Sequence, residues 1–159
     1  MKRAKGPGQR AQGPGQRAQG SYVFVLPYAL CSLLSVAAIA GQAPRTVWDG
    51  VYSDAQAKRG RELYNSKCLS CHGPDLSGGE MAPPLVGIGF QSNWNGQTAG
   101  DLSERIRVSM PLGAEGTLSR QQVSDIIAAI FAAGDYPTGA NELPRESDVL
   151  KTIQITPRK

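Results

Sequence analysis

The chain has 159 residues, 40% hydrophobic and 19% charged, enough for one ordinary domain and not comfortably for two. Its formal net charge of +4 is unevenly placed: residues 1–40 carry five cations (Lys2, Arg3, Lys5, Arg10 and Arg17) and no acid, while the rest sets 12 Lys and Arg against 13 Asp and Glu. The basic balance belongs to the leader, which excludes nucleic-acid binding as a reading of the remainder.

Within the leader, GPGQRAQ is written twice (6–12 and 13–19). Residues 1–20 hold too little apolar surface to fold and are expected to be a disordered basic segment. Residues 21–40 read as a signal peptide or membrane anchor. The apolar run from Tyr22 to Ala40 is broken by Pro27 and serines, and Ala38-Ile39-Ala40 offers a small-residue cleavage site before Gly41. Left uncleaved, about 18–20 apolar residues can just span a bilayer; Pro27, the serines and the Ala-rich end favour cleavage. Cys31 lies inside this run, and Leu30 before it is wrong for a lipoprotein box, so Cys31 is filler. The chain is thus expected to be exported to the periplasm, with a membrane contact only if the leader stays.

Residues 41–51 form an extended lead-in. Ser53-Asp54-Ala55-Gln56 is a capping box that opens a first helix running through Arg59, Leu63 and Tyr64 toward Cys68. Gly60 in its middle costs about 1 kcal/mol against alanine, a cost worth bearing where another helix must cross closely. Residues 73–97 are rich in Gly, Pro, Ser and Asn and are expected to be one loop of about 25 residues that wraps or binds something. A short helix follows, with Thr98 as N-cap and Asp101 at N3, covering Leu102, Ile106 and Val108 and ended by Pro111. Ser119-Arg120-Gln121-Gln122 caps the last helix, whose Val123, Ile126, Ile127, Ile130 and Phe131 fall on one face, with Gly134 as its C′ residue. Residues 136–159 are expected to be an irregular tail on the surface. No segment alternates with a strand period, so the fold class is all-α, with its domain at 53–135.

Cys68-Leu69-Ser70-Cys71-His72 carries the chemistry. C-x-x-C-H is the attachment motif of c-type haem: two thiols add across the vinyl groups on one porphyrin edge, and the histidine beside them is held under the iron. A zinc site would need four N or S ligands, and His72 is the one histidine in the chain. A thioredoxin-like pair would follow a strand, whereas here a helix comes first. With no second histidine, methionine is the expected sixth ligand. Met81 lies nine positions past His72, on the histidine side. Met110 sits 38 positions on, freed from its helix by Pro111, and is the expected ligand. The bland alternative is a core methionine, which would leave the iron open.

In that order, Cys68–His72, Pro83-Pro84-Leu85-Val86-Gly87, Met110-Pro111 and the C-terminal helix resemble class I c-type cytochromes, over about residues 50–135. The resemblance implies the cytochrome c fold, N- and C-terminal helices crossing around one covalently bound haem c. It implies that the Pro83 carbonyl accepts the His72 Nδ1–H, and that Gly60 and Tyr64 cross the last helix near Ile130 and Phe131. It places Trp94 where an aromatic residue of the family hydrogen-bonds a haem propionate; a core tryptophan is the equal alternative. Trp48-Asp49-Gly50-Val51-Tyr52 and the run from Ser109-Met110-Pro111 to Gly116-Thr117-Leu118-Ser119 are similar to small cytochromes found with pyrroloquinoline-quinone dehydrogenases. The implied role is electron carriage, not catalysis, between redox proteins such as a quinoprotein dehydrogenase and a terminal oxidase. The lysine ring with which mitochondrial cytochrome c docks is missing, so the partner interface is not expected to be strongly cationic. Two other readings stay open: an open distal site for gas sensing or peroxide chemistry, and a dedicated electron-accepting subunit of a quinoprotein dehydrogenase complex.

Overall fold

The structure, a computed structural model, describes residues 44–157. The basic repeat, the apolar run with its cleavage site, and Cys31 lie outside them. In chain order the elements are β1 (Arg45–Thr46), α1 (Asp54–Lys67), α2 (Leu69–His72), α3 (Gly87–Trp94), α4 (Ala99–Ser109), α5 (Arg120–Ala133), α6 (Ser147–Leu150) and β2 (Ile153–Gln154). The fold is helical, with one parallel two-residue ladder pairing β1 with β2. No helix among the described residues is long and apolar enough to cross a membrane.

Helix α1 starts where its cap predicts: Ser53 Oγ accepts the Gln56 N–H at 3.2 Å. The box is only half made. Gln56 is fully buried, and its amide turns away to bind the main chain of Leu143, donating to the carbonyl at 3.0 Å and accepting the N–H at 2.6 Å. A buried peptide group with no ladder partner costs more unpaired than an exposed cap gains. Ala57, Gly60 and Tyr64 form the buried stripe and face α5. A Cβ at Gly60 would overlap the Asp125 carbonyl and stand 3.1 Å from the Ala129 methyl. The helices therefore cross at Asp125–Ala129, one turn before the expected Ile130 and Phe131, where α5 offers only a carbonyl and a methyl.

Helix α5 has its complete capping box, Ser119 with Gln122. Its burial goes beyond one apolar face: every residue from Val123 to Phe131 is buried, because α1 and α4 both pack on it. The polar members of that run are satisfied. Ser124 donates to the Pro144 carbonyl at 2.8 Å, and Asp125 accepts from Arg59 at 3.2 and 3.3 Å and from Gln121 at 2.9 Å. The helix ends one residue later than expected. Gly134 is the C-cap with φ −89°, and Asp135, at φ +61°, takes the left-handed position. Tyr136 N–H then bonds the Phe131 carbonyl and Asp135 N–H the Ala132 carbonyl, a Schellman pattern. A Cβ at Gly134 would press on the Tyr136 ring at 3.0 Å, which accounts for glycine there.

Three further expectations need correction. The 73–97 segment contains α3, whose Phe90 is buried and stacks with Trp94 one turn on; the surrounding Gly and Pro mask this short apolar pair. Val108 is 52% exposed, because α4 buries Ala99, Leu102 and Ile106, and Val108 lies on the opposite side. The 136–159 segment, expected as an irregular surface tail, holds α6 and β2 and buries Leu143, Leu150, Ile153 and Ile155. These apolar residues are too sparse to show a period, yet each fills the core.

Candidate cofactor site

Helix α1 runs into the site. Cys68 is its C-cap, with its N–H on the Tyr64 carbonyl, and is also the N-cap of α2. His72 N–H bonds the Cys68 carbonyl at 3.0 Å and Gly73 N–H the Leu69 carbonyl at 2.9 Å. Residues spaced i, i+3 and i+4 in one turn share a side, so both thiols and the imidazole come from one short stretch of backbone. Cys68 is half-buried, Cys71 exposed and His72 buried. Burial, and after it the charge of Cys71, push the Cys68 thiol up to about 11; it is a neutral thiol at pH 7.

The loop after His72 folds back onto it. Gly73 turns the chain at φ +78°, and the buried Leu76 at φ +63°. Tyr64 Oη donates to the Gly73 carbonyl at 2.6 Å. Burial pushes Tyr64 up to about 12, so that donor keeps its proton. Ser77, through N–H and hydroxyl, bonds Asp75 Oδ1 and holds that carboxyl below its usual range. Gly78 N–H reaches the His72 carbonyl at 3.0 Å, and Leu85 N–H the Leu76 carbonyl at 2.8 Å. Gly78 has φ +77°, and a Cβ on it would lie 2.6–2.7 Å from the Ala82 carbonyl oxygen and the Pro83 carbonyl carbon. The result is a 3.0 Å contact between His72 Nδ1 and the Pro83 carbonyl oxygen. A carbonyl can only accept, so Nδ1 carries a proton, and in the neutral ring the lone pair is left on Nε2.

Met110 caps α4, with its N–H on the Ile106 carbonyl at 2.9 Å and its backbone extended at φ −133°. Met110, Trp94, Cys68, Leu69 and Leu85 are all partly buried against the same core. Met81 is 85% exposed and does not join them. The Trp94 indole N–H meets no acceptor among the described residues; its ring stacks on Phe90 at 6.3 Å. Leu76 and Gly78 escaped the sequence reading. A glycine five residues before a P-x-L-x-G string is a weak signal, and a leucine at positive φ gives none. Two surface concavities, of about 290 and 270 Å³, lie elsewhere, the first against α1 and α5 around Asp54, Lys58 and Arg61, the second around Trp48, Ile88 and Tyr136.

The donor set fits haem c and little else. No three His, Cys, Asp or Glu side chains among the described residues come together to hold a bare metal ion. A single imidazole can hold an iron only if the metal brings most of its own ligands, as in a porphyrin. Two reduced thiols one turn apart suit attachment to its edge.

Comparison with known proteins agrees. Residues 55–128 match the family described as cytochrome C oxidase, cbb3-type, subunit III. Cytochrome c-551 of Bacillus subtilis is 27% identical over 110 residues, 69% of this chain and 88% of its own length. The cytochrome bc1 complex cytochrome c subunit of Mycobacterium leprae is 26% identical over 122 residues, 76% of this chain and 42% of that protein. Thiosulfate dehydrogenase of Allochromatium vinosum is 33% identical over 94 residues, 52% of this chain and 31% of the enzyme. The chain thus spans less than half the length of these last two. With the C-x-x-C-H turn, the fixed imidazole and the helical frame together, the chain is similar over residues 55–128 to the cytochrome c family, whose cofactor is covalently bound haem c.

Proposed function

We propose that the chain is an electron carrier, not an enzyme, with one haem c attached at Cys68 and Cys71 and ligated by His72 and Met110. The haem supplies the Fe(II)/Fe(III) couple, and the protein supplies ligands, burial and rigidity. The observation that carries this reading is the turn in which Cys68, Cys71 and His72 share one stretch of backbone while the Pro83 carbonyl holds the His72 proton on Nδ1. An acceptor on the far ring nitrogen raises ligand basicity and fixes the ring. Met110 is favoured as sixth ligand because it packs against the core that Cys68 and Trp94 also touch, whereas Met81 stands in solvent. Histidine–methionine ligation raises the potential and favours Fe(II). The free Trp94 indole N–H suits a carboxylate acceptor such as a haem propionate.

Redox proteins are the partners this reading requires. A quinoprotein dehydrogenase as donor and a respiratory oxidase as acceptor, in the periplasm, follow from the family likeness and the leader. The relatives named as a bc1 complex cytochrome c subunit and as thiosulfate dehydrogenase are larger than this chain, so their activities are not carried over.

The test is the visible spectrum of protein matured in an export-competent host. Expected are a c-type spectrum whose pigment survives acid acetone, and, in the oxidised form, the weak long-wavelength band of sulfur-ligated haem. Met110→Ala should abolish that band and leave the pigment attached. If Met110→Ala keeps the band, Met110 is not the ligand; if the native protein lacks it, the open-site reading takes over.

A further inference from the structure

The C-terminal residues 153–157 are bonded on two sides. On one side, β2 pairs with β1, with Arg45 opposite Ile153 and Thr46 opposite Gln154, and Val47 N–H donates to the Gln154 carbonyl at 2.9 Å. On the other, Gly96 N–H donates to the Ile155 carbonyl at 2.9 Å and Ile155 N–H to the Gln97 carbonyl at 2.8 Å. Trp48 Nε1 closes the end, donating to the Thr156 carbonyl at 2.9 Å and the Pro157 carbonyl at 3.2 Å. Ile153 and Ile155 are fully buried. What these residues grip is a short connection. Residues 95–97 join Trp94, the last residue of α3, to Thr98, the N-cap of α4, and Met110 caps the other end of α4. Gly96 sits there at φ +80°, a backbone state that fixes little by itself.

We infer that residues 153–157 are a positioning strap for the cofactor crevice, holding the α3–α4 connection so that Trp94 and Met110 keep their places. The inference rests on the reading that Met110 is the sixth ligand. Without the strap, α3 and α4 are joined only by a glycine-containing turn, and local opening there would carry the Met110 sulfur away and admit water. Such local opening is set by the few bonds that close it, so one lost buried hydrogen bond shifts it by about tenfold.

The strap is tested in the haem-loaded protein with Ile155→Pro, which removes the N–H given to Gln97, and Trp48→Phe, which removes the indole N–H given to residues 156 and 157. Both should bind added imidazole at the ferric iron on the order of tenfold more tightly than the native protein, with a lower midpoint potential and the haem still attached. Met110→Ala is the comparator. If it fails to open the iron to imidazole, the ligand reading is wrong. If it succeeds while both strap variants keep native imidazole affinity and potential, even with a lower melting temperature, the strap is wrong and the ligand reading stands. Should Ile155→Pro fail to fold, Trp48→Phe decides between these outcomes.

Discussion

Which nitrogen of His72 can bind iron is settled eleven residues further along the chain, by how a loop returns. The Pro83 carbonyl takes the Nδ1 proton, and that carbonyl stands where it does because Gly78 lets the chain pass against it without a side chain. Gly78→Ala meets two obstacles. Its φ of +77° costs a non-glycine residue about 1–2 kcal/mol, and the new methyl would press on the Ala82 carbonyl oxygen and the Pro83 carbonyl carbon. The loop must move, and Pro83 moves with it. We expect a stability loss of roughly 2–3 kcal/mol in urea melts. In the reduced protein the His72 Nδ1–H should also exchange with deuterium on the order of tenfold faster. Unchanged exchange would mean that the loop absorbs the methyl elsewhere. From the sequence, the C-x-x-C-H turn and the P-x-L-x-G string were legible because both are local strings. The route between them was not, since it depends on Leu76 at positive φ and on a carbonyl packed against Gly78, and neither leaves a pattern in composition.

Between helices the controlling contact is again a missing side chain. In an exposed helix, Gly60→Ala would gain about 1 kcal/mol. Here the methyl would occupy the Asp125 carbonyl, so α1 and α5 must separate along their whole crossing, and a loss of about 3 kcal/mol or more is expected in denaturant melts. A stabilised Gly60→Ala protein would show that the helices do not cross there. Gln56 tests the other end of α1. Gln56→Ala leaves both main-chain groups of Leu143 unpaired in the core, at roughly 2–4 kcal/mol, whereas Ser53→Ala removes only an N-cap, at about 1 kcal/mol. A stability loss for Gln56→Ala no larger than for Ser53→Ala would refute the core clamp. The contrast explains what the sequence could and could not say about elements. Caps at Ser53, Thr98 and Ser119 are three-residue relations, and each helix begins where its cap puts it. The role of Gln56 is an 87-residue relation, and α6 and β2 are held by the same kind of distant partner, so no window along the chain reveals them.

Taken as a whole, the domain stores its pH sensitivity on the alkaline side. Tyr52 and Tyr64 are almost fully buried. Burial first, and nearby negative charge second, push Tyr52 and Tyr64 each up to about 12 from an ordinary value of about 10. Burial also raises Tyr136. Between these limits the unfolded chain has released protons that the folded chain still holds, so raising the pH favours unfolding. The stabilising contribution is complete below about pH 10 and lost as pH climbs through about 12. Two such groups give a slope near 2.7 kcal/mol per pH unit in that window, against a total stability on the order of 5–15 kcal/mol, so the fold should fail cooperatively there. Cys68, also raised, to about 11, adds to this slope only while its thiol is free; haem attachment removes it as a titrating group. The acid side differs. Asp75, Asp101 and Glu104 are held below their usual range by hydrogen bonds from Ser77, Thr98 and Arg107 respectively, but all three face solvent, and their protonation costs the fold little. Urea melts from neutral pH upward check this. Tyr52→Phe should lose about 1 kcal/mol at neutral pH, for the bond its hydroxyl gives the Tyr136 carbonyl at 2.5 Å. Its stability should then fall with about half the native slope above pH 10. A native slope retained in Tyr52→Phe would mean that other groups drive the alkaline transition.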